Sequence, residues 1–352
     1  MIPLIAAATA LVSLQTVGPT VAPVFSVAEG TVSKKKFSIT HALTVQKIDL
    51  GGPELDAMSQ QQLSIDSTIE LEVVDTYKKM APGRPLEMQR VFASAPFHAD
   101  FNFTDPGGTK IPESWDAETL LKGRSVVFVW VPEEKGYSKY YDDLESLEEY
   151  LANLDEDLDL KCLLPKNPDG TPRTVKEGDG WALDLHEIAD LFTPGGNVPL
   201  TYTKGGNTGL RTAIAAGVGG PLHPVFGGTV KGNCRAKWAT TETSDAGHFA
   251  AIELALEIET DADRTEIARR ILRQNEDDDT SPVRHAGSAW KFSGSGTLRW
   301  NLDAGRFESL QVSGREDVKS DIQFASGTET SRQMLSMAGG LSVTATFVPP
   351  KK

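Results

Sequence analysis

His186-Glu187 is the first pair of residues in this chain whose types suit catalysis. A His-Glu pair serves a zinc peptidase when a second histidine follows four residues after the first. Both imidazoles then share one helix face, and the glutamate acts as general base. Position 190 is Asp190, so the motif is incomplete and His186 reads as an exposed residue of a short helix. Asp155, Asp157 and Asp159 alternate like the first ligands of a calcium loop. Such a loop needs glycine at its sixth position and glutamate at its twelfth, and those positions hold Leu160 and Lys166. The acidic run then reads as a charged surface after a helix. No phosphate-cradling G-x-x-x-x-G-K-[ST] occurs, and the stretch from Phe292 to Gly296 lacks the first glycine of a nucleophile elbow. His41, His98, His223, His248 and His285 stand singly. His41 falls on an apolar strand face, the usual setting of a satisfied core histidine. No catalytic residue, ligand-binding residue, metal ligand or cofactor is assigned.

Cys162 and Cys234 are the two cysteines. In an exported chain they could form one disulfide, which chain entropy would make worth about 4 kcal/mol. The other reading is two separate buried thiols, and spacing alone leaves both open. The absence of C-x-x-C removes support for a redox or zinc-ribbon site.

The chain of 352 residues is 39% hydrophobic and 24% charged, ordinary globular material for one large domain or two smaller ones. Its net charge of −14 argues against nucleic acid and anionic membranes, which are themselves polyanions. Residues 1–28 read as a secretory signal. No charged side chain precedes Glu29, an apolar stretch spans residues 2–14, and Ser26-Val27-Ala28 supplies small residues for cleavage. A basic n-region is missing. No other run approaches the ~18 apolar residues of a membrane span. The expected location is outside the cytoplasm: periplasm, cell surface or medium.

The elements that would position any site are mostly strands. Phe37, Ile39, His41, Leu43 and Val45 alternate with polar residues, as do Ile65, Ile69, Leu71 and Val73. Ile252, Leu254, Leu256 and Ile258 form a third row, and Leu341, Val343, Ala345 and Phe347 a fourth. Period-two alternation marks strands with one wet face. Residues 125–131, Ser-Val-Val-Phe-Val-Trp-Val, are apolar on both faces and read as a central strand. Leu298, Trp300 and Leu302 lead into Asp303-Ala304-Gly305, predicting a bulged hairpin that pairs Leu298 with Leu310 and Trp300 with Glu308. Helices are predicted over residues 142–154, over 114–123 with Ser114 as N-cap and Gly123 as stop, before Pro194, and over 261–274. Gly178-Asp179-Gly180 predicts a turn, with Trp181 as either a plug at a sheet edge or the rim of a cleft. Because strands and helices do not alternate regularly, the expected class is α+β, a large one-sided antiparallel sheet curved over a few helices. The expected layout is a first β-rich lobe at 29–204, a Gly-rich loop or boundary at 205–228, and a second lobe at 229–352 continuous with the first.

Three stretches carry a resemblance: Leu-Leu-Lys-Gly-Arg-Ser-Val-Val-Phe-Val-Trp-Val at 120–131, the Gly-Asp-Gly-Trp turn at 178–181, and the late hairpin at 294–314. Together they resemble a loose group of uncharacterised exported bacterial β-rich proteins. The inferred shape is similar to the half-barrels of LolA-like periplasmic lipoprotein carriers. That likeness implies an apolar groove, and fold alone does not settle function. The expectation is a non-enzymatic exported binding protein for a lipid or other apolar ligand. The alternatives are a structural or protein-interaction component of the cell envelope, and a hydrolase with an unrecognised site. An apolar ligand or an envelope protein is the expected partner, with no nucleic acid and no transmembrane segment.

Overall fold

The computed structural model describes residues 23–49, 62–104, 108–141, 151, 154–196, 198–204, 228–271, 283–326 and 329–348. The first strands are β1 (Val32–Asp49), β2 (Gln62–Ala81), β3 (Arg84–Ser94), β4 (Phe97–Thr104) and β5 (Lys110–Thr119). Then come β6 (Ser125–Val131), β7 (Gly136–Tyr141), β8 (Gly180–Ala182) and β9 (Leu200–Lys204). The last five are β10 (Thr229–Ser244), β11 (Gly247–Asp263), β12 (Val283–Asn301), β13 (Arg306–Ser326) and β14 (Glu329–Val348). Two helices have described bounds, α1 (Ala189–Phe192) and α2 (Thr265–Ile271), and Lys161–Leu163 form a 3-10 turn.

All fourteen strands join one antiparallel sheet in the order β7-β6-β3-β2-β1-β14-β13-β12-β11-β10-β8, with β4, β5 and β9 branching from β2. The expected α+β class is thereby corrected. The described residues are 71% strand and 4% helical. The inner face of the sheet is covered instead by the largely irregular segment of residues 154–196, which also carries β8 and α1. Leu158, Leu163, Ile188 and Leu191 of that segment share one apolar core with inward side chains from strands across the sheet, Phe37, Leu71, Phe128, Ile252 and Val343 among them. A single core touching both ends of the strand order means that the sheet curls around the segment.

The four alternating rows read from sequence do face this core. Phe37, Ile39, Leu71, Val73, Ile252, Leu256, Val343 and Ala345 are all buried. The helix predicted over 114–123 is instead strand β5. Trp115 and Ala117 alternate inward and pair with Ala99 and Phe97 of β4, so sheet pairing overrides local helix preference. Val126, Val127 and Phe128 are buried on both faces, yet β6 lies next to the edge strand β7 and is not central. Burial on two faces reports local cover, not place in the sheet. Of the helix predicted over 142–154 only residues 151 and 154 are described, Leu151 as helical and Leu154 bridged to Gly196, and the Gly-rich stretch 205–227 lies outside the described residues.

The late hairpin forms with Leu298 opposite Leu310, as expected. A bulge at its tip sets Trp300 opposite Phe307 and not Glu308, which buries both rings. Gly305 takes the left-handed conformation that closes the turn (φ 60°). Further along, Gly294 faces Gly314, and Gly339 faces Glu316. A Cβ on Gly339 would stand 1.8 Å from the Ala42 carbonyl oxygen, and one on Gly314 would stand 2.4 Å from that of Ser293. These bare positions let the long strands β1, β14, β13 and β12 approach where the sheet bends.

Residues 23–28, inside the stretch read as a signal, pack on the core. Phe25 and Val27 are buried, and the Ser26 amide donates to the Gly305 carbonyl at 2.9 Å. No helix of the described residues is long and apolar enough to cross a membrane.

Candidate functional site

Three inward positions at one end of the sheet break the apolar rows with a charge. Lys35 is in phase with Phe37 on β1, Asp75 with Val73 and Tyr77 on β2, and Arg90 with Met88 and Phe92 on β3. A charge so placed is costly unless paired and hydrogen-bonded. The strand register supplies the pairing, because Asp75 lies directly opposite Arg90. Arg90 donates from Nε to Asp75 Oδ1 at 2.8 Å and from Nη2 to Asp75 Oδ2 at 2.9 Å. Lys35 Nζ meets Asp75 Oδ2 at 2.8 Å and Asp159 Oδ1 at 2.6 Å. Tyr77 donates its hydroxyl to the same Asp159 carboxylate at 2.7 and 2.8 Å. Two cations thus meet two carboxylates, and Lys35, Asp75 and Arg90 are fully removed from solvent.

Burial pushes the Asp75 carboxyl up, but Arg90 and Lys35 outweigh it and hold it at about 2. Burial, reinforced by Asp159, keeps the Tyr77 phenol protonated far above its usual range. Arg90 also donates to the main-chain carbonyls of Asp155 and Glu156, each at 2.8 Å. Asp159, Asp155 and Glu156 all belong to the segment under the sheet, so the network is a clamp on that segment. The edge of Phe25 closes it, with its ring centroid 5.7 Å from that of Tyr77.

The acidic run read as a failed calcium loop is part of this clamp. The Asp157 carboxylate accepts the amides of Asp159, Lys161 and Cys162, at 3.1, 3.3 and 3.1 Å. That cap holds a tight turn in which Leu160 is left-handed (φ 57°). Asp190 of α1 sits near the same carboxylates. Burial, then the charges of Asp157, Asp155, Glu187 and Glu156, push it up to about 8. Among the described residues no group of three or more His, Cys, Asp or Glu could hold a metal ion.

A second inner cluster anchors the other end of the segment. Glu316 of β13 receives the Trp290 indole N–H at 3.0 Å and bonds His41 Nδ1 at 2.7 Å. Glycine at position 339, on the intervening strand β14, leaves the space for this reach. Phe192 of α1 stands edge-on to Trp290 and Phe292, at 5.2 and 5.1 Å. His41 is therefore the satisfied inward histidine that its strand phase implied.

The remaining residues singled out from sequence do not converge. Cys162 and Cys234 are both free, buried thiols, the second of the two alternatives left open by spacing. His186 is exposed. His98 binds Asp116 and Asp100, and His248 binds Asp303, on separate outer surfaces. Trp181 is the plug at a sheet edge, with its indole donating to the Leu163 carbonyl at 3.2 Å. Sequence reading missed Lys35, Asp75, Arg90 and Glu316, although each interrupts an apolar row.

On the outer face, the far ends of β1 and β11–β14 enclose a cleft of about 490 Å³, with Lys47, Lys319, Arg332, His285, Asp261 and Asp321 around it. No family model matches the chain, and no curated protein matches it either.

Proposed function

We propose that the protein is an exported, non-enzymatic interaction module of the cell envelope that meets its partner with its outer surface and sheet edges. The observation that supports this most is the filled inner face. The groove that a carrier would offer to an apolar ligand is taken by residues 154–196, clamped by Arg90 and Lys35 at one end and packed through Phe192 at the other. A partner is then left with the outside. Edge strand β7 pairs only with β6 among the described residues and carries the exposed Tyr140. A sheet edge is a natural place for strand addition by another chain. Export rests on the uncharged, apolar residues 2–14, which precede the core-packed residues 23–28.

The test is a native mass spectrum of the protein taken from its own compartment, before and after organic extraction. The proposal expects a polypeptide mass that extraction leaves unchanged, and a second protein in the undissociated complex. A mass excess removed by extraction would overturn it in favour of an apolar-ligand carrier.

A further inference from the structure

The outer-face cleft is built on a regular cross-strand row. Lys47 of β1 lies opposite Ser336 of β14, Ser336 opposite Lys319 of β13, and Lys319 opposite Ala289 of β12. Ala289 in turn lies opposite Asp261 of β11. Long and short side chains therefore alternate across five strands. Adjacent strands are about 4.8 Å apart, so the two lysine backbones stand about 10 Å apart across the small Ser336. That spacing leaves a trough with an ammonium on each wall and a hydroxyl on the floor.

The cleft carries Lys47, Lys319 and Arg332 together with the carboxylates of Asp261 and Asp321, and Asp49 lies beside it opposite Met334. Asp321 is taken by Arg332, whose Nε approaches its two oxygens at 2.8 and 3.1 Å. Lys47 and Lys319 have no ion-pair partner among the described residues, in a chain whose net charge is −14. Elsewhere on the outer face Lys34 pairs with Glu72 and Lys291 with Glu259, while Lys231 and Lys237 of β10 have no ion-pair partner among the described residues and lie outside any such cleft. Ala289 and Met334 add apolar surface beside the trough. The volume falls in the range of small-molecule pockets, and a few placed polar groups in an otherwise apolar lining are what such pockets have.

We infer that this cleft binds a small organic anion, its carboxylate or phosphate seated between Lys47 and Lys319 over the Ser336 hydroxyl and its apolar body along Ala289 and Met334. The site is on the opposite face from the clamp and stands independently of the partner reading. The same headgroup chemistry could come from a free small molecule or from an anionic lipid, and the unpaired lysines within a bounded cleft favour the free molecule.

Calorimetric titration of the full chain with hexyl phosphate, hexanoate and inorganic phosphate tests this, beside phosphatidylglycerol vesicles. The expected result is saturable binding of hexyl phosphate at one per chain, stronger than inorganic phosphate and weakened by salt. Lys47→Gln with Lys319→Gln should weaken it at least about tenfold, whereas Lys231→Gln on β10 should leave it unchanged. Melting curves of each variant separate loss of binding from loss of fold. Absence of saturable binding by any soluble probe, binding to vesicles alone, or binding indifferent to the double substitution would each overturn the inference.

Discussion

Arg90 faces Asp75 across the β2–β3 register and closes on it with two hydrogen bonds, both side chains wholly buried. The remaining Arg90 donors reach two carbonyls of the segment beneath the sheet. One guanidinium therefore neutralises a buried carboxylate and ties coil to sheet. Its fixed fork of donors suits that double duty, which a lysine could not perform.

Removing one partner of a buried pair leaves an uncompensated charge. Asp75→Asn or Arg90→Met is expected to destabilise the protein by about 3–5 kcal/mol in urea unfolding. Because the folded Asp75 carboxyl is depressed to about 2 from 3.8, its contribution is full above about pH 4 and is lost as pH falls through about 2. The Asp75→Asn variant should lack that acid-side decline. An unfolding midpoint unchanged by either substitution would remove the clamp from the account.

Asp190 titrates with the opposite sign. Raised to about 8 from 3.8, it keeps a proton in the folded state that the unfolded chain releases. Stability should therefore fall as pH rises between about 4 and 8. Asp155 and Glu156 are pushed in the same direction by burial. Asp190→Asn should flatten this slope and be more stable than the parent at pH 8, as urea unfolding across that range would show.

Neighbouring glycines should behave differently. A Cβ on Gly339 would overlap the Ala42 carbonyl, while one on Gly340 meets nothing within 4 Å. Gly339→Ala is expected to cost about 3 kcal/mol or more, and Gly340→Ala to be neutral or stabilising by about 0.5 kcal/mol. Thermal melting of the two variants checks both.

The N-terminal strap should matter to stability. A chain beginning at Glu29 keeps the bonds that Gly30 and Thr31 make with Tyr77 but loses Phe25 and Val27 from the core. It is expected to be less stable by about 3–5 kcal/mol than a chain beginning at Pro23, the cost of deleting a buried phenylalanine. Equal unfolding midpoints would mean that Phe25 contributes nothing to the core.

The sheet was legible wherever one face is wet. The alternating rows through Phe37, Leu71, Ile252 and Val343 mark the inner face correctly, and extending two of them by one step reaches Lys35 and Asp75. A charge in an apolar phase was the available signal for the clamp. Its partner Asp159 was not legible, because it comes from coil whose place under the sheet is set by long-range packing. The alternation of Trp115, Ala117 and Thr119 was open to reading, but Ser114 and Gly123 resemble helix punctuation and local propensity misled. The Trp300–Phe307 pairing depends on a bulge that loop length alone does not specify.

Whether residues 154–196 are a permanent filling or a displaceable lid decides between an interaction module and a carrier. Native-state hydrogen exchange reads this directly at the bonded amides of Leu158, Leu163, Leu164 and Leu191, compared with Tyr77 and Phe92 in the sheet. A permanent filling opens only with the whole fold, so the account predicts opening free energies within about 1 kcal/mol of those of the strands. Exchange of the segment as a separate block, several kcal/mol more readily while Tyr77 and Phe92 stay protected, would contradict it.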